Sequence, residues 1–564
     1  MMVKTKTVDS AATSEVVDVV KVATKVAAKP KAKPKAKAKV SAAAVDVSTS
    51  APNASSTSVR KPKAKAATAS TRTKSKPLHI LAVASEMYPF IKTGGLADVV
   101  GALPFALGEL STSKSPITLT TLIPGYPVVM GALNETDESN MVLALPDYFG
   151  GDARIVRATV KGVALLVLDA PHLFNRVGNP YSDASGMDWP DNPVRFAALS
   201  LAAAMVGWGE VEGCTPDVLH AHDWQAAMAP AYLHFLGQGK HRPKTVLTVH
   251  NLAFQGQFLA NVFPKLGLPP EAFDINGVEY YGGVGYLKAG IQFADAVTTV
   301  SPTYAREICT TQGGMGLDGL LRLRGHAVSG IVNGIDMAIW NPATDAQLAS
   351  TFNEKTLGAR QINKHAVEKH FNLPHSDAPL FCIVSRLTWQ KGIDIVTDSI
   401  DALVAMGARL VVLGTGDQAL EAALYAAVAK HPNHVGVHIG YDEGVSHLIQ
   451  GGSDAILVPS RFEPCGLTQL YGLRYGCVPV VSTVGGLADT VIDANDAAVT
   501  AGVATGVQFH QVTSEGFQTA IARAVSLYAQ TKVWQAIQHA GMRSDVAWRR
   551  SAKQYEALYR GLLG

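Results

Sequence analysis

Leu78–Val100 reads LHILAVASEMYPFIKTGGLADVV, and Val478–Val491 reads VPVVSTVGGLADTV. In both, a short β-branched apolar run leads through a loop into paired glycines, and a helical segment follows. The paired glycines let backbone come close to a ligand, and the helix start offers free N–H groups and a positive dipole end. Neither copy is a G-x-G-x-x-G fingerprint and no Walker lysine pattern occurs, so a nicotinamide cofactor is not favoured.

Working outward, the same alternation fills the chain from Leu78 onward. Apolar runs at 79–85, 117–123, 164–169, 217–222, 245–250 and 296–300 alternate with helical segments in the first half. Runs at 380–385, 409–413, 435–439, 455–458 and 478–482 do so in the second. Near-continuous apolar strands with helical crossovers predict parallel sheets covered on both faces, and two such series predict two doubly wound α/β domains. Ligands of such sheets sit beyond the carboxyl ends of the strands. Distinctive segments fall there repeatedly, at 92–95, 222–225, 250–255, 385–391, 414–417, 461–466 and 483–486. Their convergence predicts one active site in the cleft between the domains.

The chain has 564 residues, 47% of them hydrophobic, and a net charge of +3 that hides an asymmetry. Residues 1–76 hold 17 basic and four acidic residues, net +13, against 32 basic and 42 acidic in the remainder, net −10. This first segment, rich in Lys, Ala and Pro with no aromatic residue, predicts a disordered, solvated extension. A polyanion-binding arm and a plastid transit peptide are the sharper alternatives. Five widely spaced cysteines without C-x-x-C argue against a disulfide framework or a zinc site and fit a reducing compartment. The longest apolar stretch, 196–208, is too short to span a bilayer and predicts a buried helix. His220 and His222 share a strand face, but no third ligand has convincing spacing, so no metal is expected.

The segments that follow the strands carry a specific resemblance. Lys92-Thr-Gly-Gly-Leu, His250-Asn-Leu-Ala-Phe-Gln-Gly, Asn333-Gly-Ile-Asp with Trp340-Asn-Pro, Ser385-Arg-Leu-Thr-Trp-Gln-Lys-Gly and Glu463-Pro-Cys-Gly-Leu-Thr-Gln resemble, in order, signatures of bacterial glycogen synthases and plant starch synthases. The resemblance covers about residues 78–564. It implies a GT-B glycosyltransferase with an acceptor-side domain at 77–328, a donor-side domain at 329–543, and a C-terminal helix at 544–564 returning to the first domain. It implies retaining transfer of glucose from ADP-glucose to the non-reducing end of an α-1,4-glucan such as glycogen, with no cofactor and no membrane. UDP-glucose is the runner-up donor, a phosphorylase fits less well, and a catalytically dead glucan-binding scaffold is the non-enzyme alternative. The cytoplasm is the expected compartment, or the plastid stroma if residues 1–76 are a transit peptide.

A nucleotide-sugar donor needs its diphosphate charge stabilised as the sugar–phosphate bond breaks, and fixed cations can supply this without a metal. The planar fork of Arg386 and the compact charge of Lys391 suit phosphate oxygens, and the resemblance assigns both there. It places Lys92, Gly94 and Gly95 on a loop reaching the donor from the other domain, with Asp98 near it. It assigns Glu463 to the hydroxyls of the transferred glucose, with Cys465 and Gly466 lining the same pocket and His250 beside the glucosyl group. Asp223 resembles the Asp of an Asp-Trp motif at the cleft; Gln225 departs from the His that many relatives carry. Asn333 is expected near the donor. Gly414 and Tyr441 are expected around the nucleotide, Tyr441 as a stacking ring for adenine, and Gly485 and Gly486 against the diphosphate.

Overall fold

The computed structural model describes residues 76–134, 140–183 and 185–564. The basic extension therefore lies, up to residue 75, outside the described residues. The first half builds a nine-stranded sheet in the order Val328–Gly330, Ala296–Thr299, Lys244–Val249, Val218–His222, Leu78–Val83, Ile117–Pro124, Val163–Asp169, Ala153–Val160 and Asn140–Leu145. The second half builds a six-stranded sheet in the order Val435–Ile439, Arg409–Gly414, Leu380–Val384, Ala455–Val458, Val478–Ser482 and Val507–Phe509. All pairings in the second sheet are parallel.

Alternate residues of the central strands enter different cores. Phe381 and Ile383 pack with Leu410 and Val412, while Leu380 and Cys382 pack with Val411 and Leu413 on the other face. This is the strand period of two with both faces covered, which is why these runs carry no polar alternation. In the first sheet, Leu81 and Val83 share a core with the buried helix Asn192–Gly207. Leu78 and Ile80 meet Val99 and Leu103 of helix Gly95–Gly108, and Trp548, Ala552, Tyr555 and Tyr559 of helix Trp548–Leu563. The final helix of the chain thus completes the core of the first sheet.

One expectation needs correction. The first sheet is not wholly parallel, because Asn140–Leu145, Ala153–Val160 and Val163–Asp169 form antiparallel pairs at one edge. The cause is local. Lys161 and Gly162 join two of these strands with φ of +50° and +80°, the two-residue turn whose twist matches a hairpin. In ARIVRATV, Arg154 is exposed and Ile155 buried, the alternation of an antiparallel strand next to the sheet edge with one face partly wet.

Candidate active site

Parallel strands put their carboxyl ends on one side, and here both sheets direct those ends at a common cavity of about 1740 Å³. From the first sheet come Lys92, Gly94, Gly95 and Asp98 after Leu78–Val83, Asp223 after Val218–His222, and His250 after Lys244–Val249. From the second come Arg386 and Lys391 after Leu380–Val384, Gly414 at the end of its strand, Tyr441, and Glu463, Cys465 and Gly466 after Ala455–Val458. Asn333, on the crossing segment between the sheets, lines it too.

Charges on the second wall are arranged tightly. Lys391 Nζ lies 2.5 Å from Glu463 Oε2, and Ser460 Oγ donates to the same oxygen at 2.9 Å. Glu463 is 5% exposed, so its charge is compensated rather than solvated. Oε1 has no hydrogen-bond partner among the described residues. Arg386 is exposed in the cavity wall and its guanidinium makes no hydrogen bond or ion pair among the described residues. Gly414 is where two strand ends meet, since a Cβ there would fall 2.0 Å from the Ser385 carbonyl oxygen. Gly466 has φ +75°, a conformation that favours glycine. Burial pushes the Cys465 thiol up to about 12, so it stays protonated and is a wall rather than a nucleophile. Tyr441 is an exposed ring whose hydroxyl donates to Glu443 at 3.1 Å.

On the first wall, Lys92 Nζ pairs with Asp98 at 2.8 Å. Burial raises the Asp98 carboxyl, and Lys92 pulls against it. Buried Glu86 anchors the loop: its carboxylate accepts from Thr93 N at 2.5 Å, Thr93 Oγ1 at 2.7 Å and Tyr181 OH at 2.5 Å. Asp223 has φ +56°, and its Oδ1 accepts from the backbone N–H of His250 at 2.6 Å. Burial pushes the Asp223 carboxyl up to about 7, against the pull of the His250 and Asn251 amides.

The three histidines lie in two separate buried hydrogen-bond chains, with only a ring contact between His220 and His222. Tyr559 of the last helix contacts His220 Nδ1 at 2.8 Å, His220 Nε2 contacts Thr248 Oγ1 at 2.6 Å, and His222 Nδ1 contacts His250 Nε2 at 3.0 Å. Burial lowers His250 to about 3, so it meets a ligand as a neutral hydrogen-bonding ring. His222 Nε2 is buried without a partner among the described residues. A lone pair is the cheaper orphan than an N–H, so the His222 proton sits on Nδ1 and is donated to His250, whose own proton is then on Nδ1.

Two expectations do not survive the geometry. Gly485 and Gly486 do not line the cavity. They are wedged behind it: a Cβ on Gly485 would lie 2.0 Å from the Glu463 carbonyl oxygen, and one on Gly486 2.2 Å from that of Cys465. The Gly485 N–H, expected to face a diphosphate, donates to Glu307 Oε1 at 2.9 Å.

The sequence reading passed over Glu86 and Tyr181, although Glu86 follows the first strand on its crevice side. Trp340, quoted above only as part of a motif, lines the cavity and is sandwiched between His447 and Tyr471 at 3.8 and 3.6 Å. Two buried acceptors in the cavity wall, Asn333 Oδ1 and Gln225 Oε1, have no partner among the described residues. Such orphans in a cavity wall mark places for ligand donors.

The chain is similar to known proteins over most of its length. Residues 79–323 match the family described as the starch synthase catalytic domain, and residues 366–536 match glycosyl transferases group 1. The chain is 57% identical over 487 residues to a glycogen synthase of Novosphingobium aromaticivorans, covering 86% of this chain and 99% of that protein. It is 56% identical over 486 residues to a glycogen synthase of Acidiphilium cryptum, again covering 86% and 99%. Among solved structures, the catalytic domain of starch synthase IV from Arabidopsis thaliana, bound to ADP and acarbose, is 31% identical with a TM-score of 0.76, covering 86% of this chain and all of that one.

Proposed function

Because the chain belongs to the family of bacterial glycogen synthases and plant starch synthases, with a GT-B fold, we propose that it elongates an α-1,4-glucan by transferring glucose from ADP-glucose with retention of configuration. The observation that carries this is the convergence of Lys92, Asp223 and His250 from one sheet with Arg386, Lys391 and Glu463 from the other on one cavity. ADP is supported as the donor nucleotide by its presence in the starch synthase structure, and a glucan acceptor by the acarbose there.

The residues divide the work. Arg386 and Lys391 neutralise the diphosphate as the bond between the anomeric carbon and phosphate oxygen breaks, and Lys92 approaches from the opposite wall. Such fixed cations stabilise charge as it develops, where reorganisation is not needed. Glu463 Oε2 is already held by Lys391 and Ser460, which suits Glu463 to gripping sugar hydroxyls through Oε1 rather than to forming a covalent bond. Neutral His250 contacts the same sugar, with Asp223 holding its backbone and His222 its tautomer. Asn333, Gly414 and Tyr441 border the nucleotide. The acceptor oxygen bonds to the anomeric carbon, and its proton leaves with the departing ADP.

We read 77–328 as the acceptor-side lobe, 329–543 as the donor-side lobe and 544–564 as the returning helix. Bacterial relatives and five cysteines, all free, support action in the cytoplasm. No helix among the described residues is long and apolar enough to cross a membrane.

The test is glucose transfer to glycogen with ADP-glucose and UDP-glucose in parallel. Preference for ADP-glucose is expected, and preference for UDP-glucose would overturn the donor assignment. Lys391→Ala and Glu463→Ala should each lower kcat/KM by about 100-fold with folding preserved; near-normal rates would remove those roles.

A further inference from the structure

Away from the cleft, one group of side chains has the makings of a site that the proposed reaction does not use. His365 and Glu368 stand three residues apart on helix Arg360–His370, a spacing that puts both on one face. His375 reaches the same place from the loop after the helix. One potential ligand atom from each of the three lies within 4.8 Å of the other two. His375 Nδ1 is 3.0 Å from Glu368 Oε2, and the rings of His365 and His375 meet edge to face at 4.0 Å.

The cluster is held from behind. Buried Arg409 bonds Glu368 Oε1, and it also donates to the carbonyl oxygens of Pro374 and Ser376 on either side of His375. One buried guanidinium therefore fixes both the carboxylate and the backbone that carries the histidine. It satisfies Oε1 and leaves Oε2 turned to the imidazole. Ligating carboxylates in metal sites are oriented in this way by a second set of hydrogen bonds. Both histidines are exposed, so an ion can reach them without opening the core.

We propose that His365, Glu368 and His375 bind one divalent transition-metal ion, zinc being the best match. Two imidazoles and one carboxylate are a recurrent three-ligand set for zinc, with water in the fourth place. Bonds of about 2.1 Å in a tetrahedron need ligand atoms about 3.4 Å apart. The ligand atoms already lie within 4.8 Å of one another and both imidazoles are exposed, so closing to that spacing asks no change of the core. The ion would clip the end of helix Arg360–His370 to the loop that leads into Leu380–Val384. That is the amino end of the strand, opposite its cleft end at Arg386, so the ion would not touch the substrate of the cleft.

The test is calorimetric titration of the metal-free full chain with zinc chloride, then with cobalt chloride followed by visible spectroscopy. One zinc per chain with Kd of the order of 1 μM or tighter is expected, together with the strong visible bands of four-coordinate cobalt and a rise in Tm. His365→Ala and His375→Ala should each weaken zinc at least tenfold and abolish the cobalt bands, while His370→Ala on the same helix leaves both unchanged. Glucose transfer should be equal in all three variants, which verifies their folding and separates this result from the fate of the proposed function. Parent-like zinc affinity in His375→Ala, or no zinc site tighter than about 100 μM in the parent, would overturn the proposal.

Discussion

GGLADVV at Gly94–Val100 and GGLADTV at Gly485–Val491 differ at one position, and each follows a parallel strand into a helix. The first opens onto the cavity. A Cβ on Gly94 would meet nothing within 4 Å, Asp98 pairs with Lys92, and the helix runs 14 residues to Gly108. The second is closed. Its glycines press on the backbone of Glu463–Cys465, its first N–H is taken by Glu307, its Asp489 accepts from Thr303, and the helix stops after six residues. Nearly the same heptapeptide makes a turn and a helix start in both lobes, and its surroundings decide whether that start opens to the cavity or meets the protein. In the second lobe it braces the Glu463 segment from behind, and its contacts with Thr303 and Glu307 join the two lobes.

The sharpest way to break this contrast is to add one methyl group to each copy. Gly486→Ala has nowhere to place its Cβ, because the obstacle is the backbone of Cys465, and it should destabilise the protein by about 3 kcal/mol. Gly94→Ala should cost less than about 1 kcal/mol. Urea denaturation compares them directly, and equal losses would erase the distinction.

A second comparison uses activity. Lys92→Ala should lower kcat/KM by about 100-fold while Tm hardly moves. Asp489→Asn, at the braced copy, should do the reverse, moving Tm by a few degrees with kcat/KM within about threefold. A large catalytic loss in Asp489→Asn alone would make the second copy a ligand loop after all.

The smallest effect belongs to Glu307. Burial, and then the charge of Asp489, push its carboxyl up. A raised carboxylate is harder to ionise folded than unfolded, so this group's contribution falls as pH rises from the ordinary carboxylate range through its raised value. Glu307→Gln keeps an acceptor for the Gly485 N–H and should change stability by less than about 1 kcal/mol at pH 5. It should show a flatter loss between pH 5 and pH 8 than the parent. An identical pH profile would mean that Glu307 is not strained by its position.

Much of this architecture is legible in the chain because buried parallel strands must be continuously apolar. LHILAV and LFCIV announce themselves, and the segments after them had to lie at the crevice. That logic reaches Lys92, His250, Arg386 and Glu463 without coordinates. It fails at Gly485 and Gly486, where the deciding contacts come from Glu307 and Cys465, remote in sequence or invisible as backbone. It fails at Ala153–Val160 because the two-residue Lys161-Gly162 turn makes a local hairpin against the prevailing parallel pattern. His375 escaped notice as a partner of His365 because a loop, fixed by distant Arg409, brings it back to the helix.

The helix Trp548–Leu563 seals the first sheet, and Tyr559 reaches His220 on a central strand. This inverts the order in which the chain is made. The first lobe leaves the ribosome early, yet its closing helix follows the whole of the second lobe. Roughly 200 residues at 5–20 per second separate Gly330 from Trp548, a delay of about 10–40 s. Through that interval the apolar face formed by Leu78, Ile80, Val218 and Val246 has only helix Gly95–Gly108 and lacks the rest of its cover. The nascent first lobe is therefore a natural client for chaperones, and the second lobe must finish folding while tethered to an unfinished neighbour.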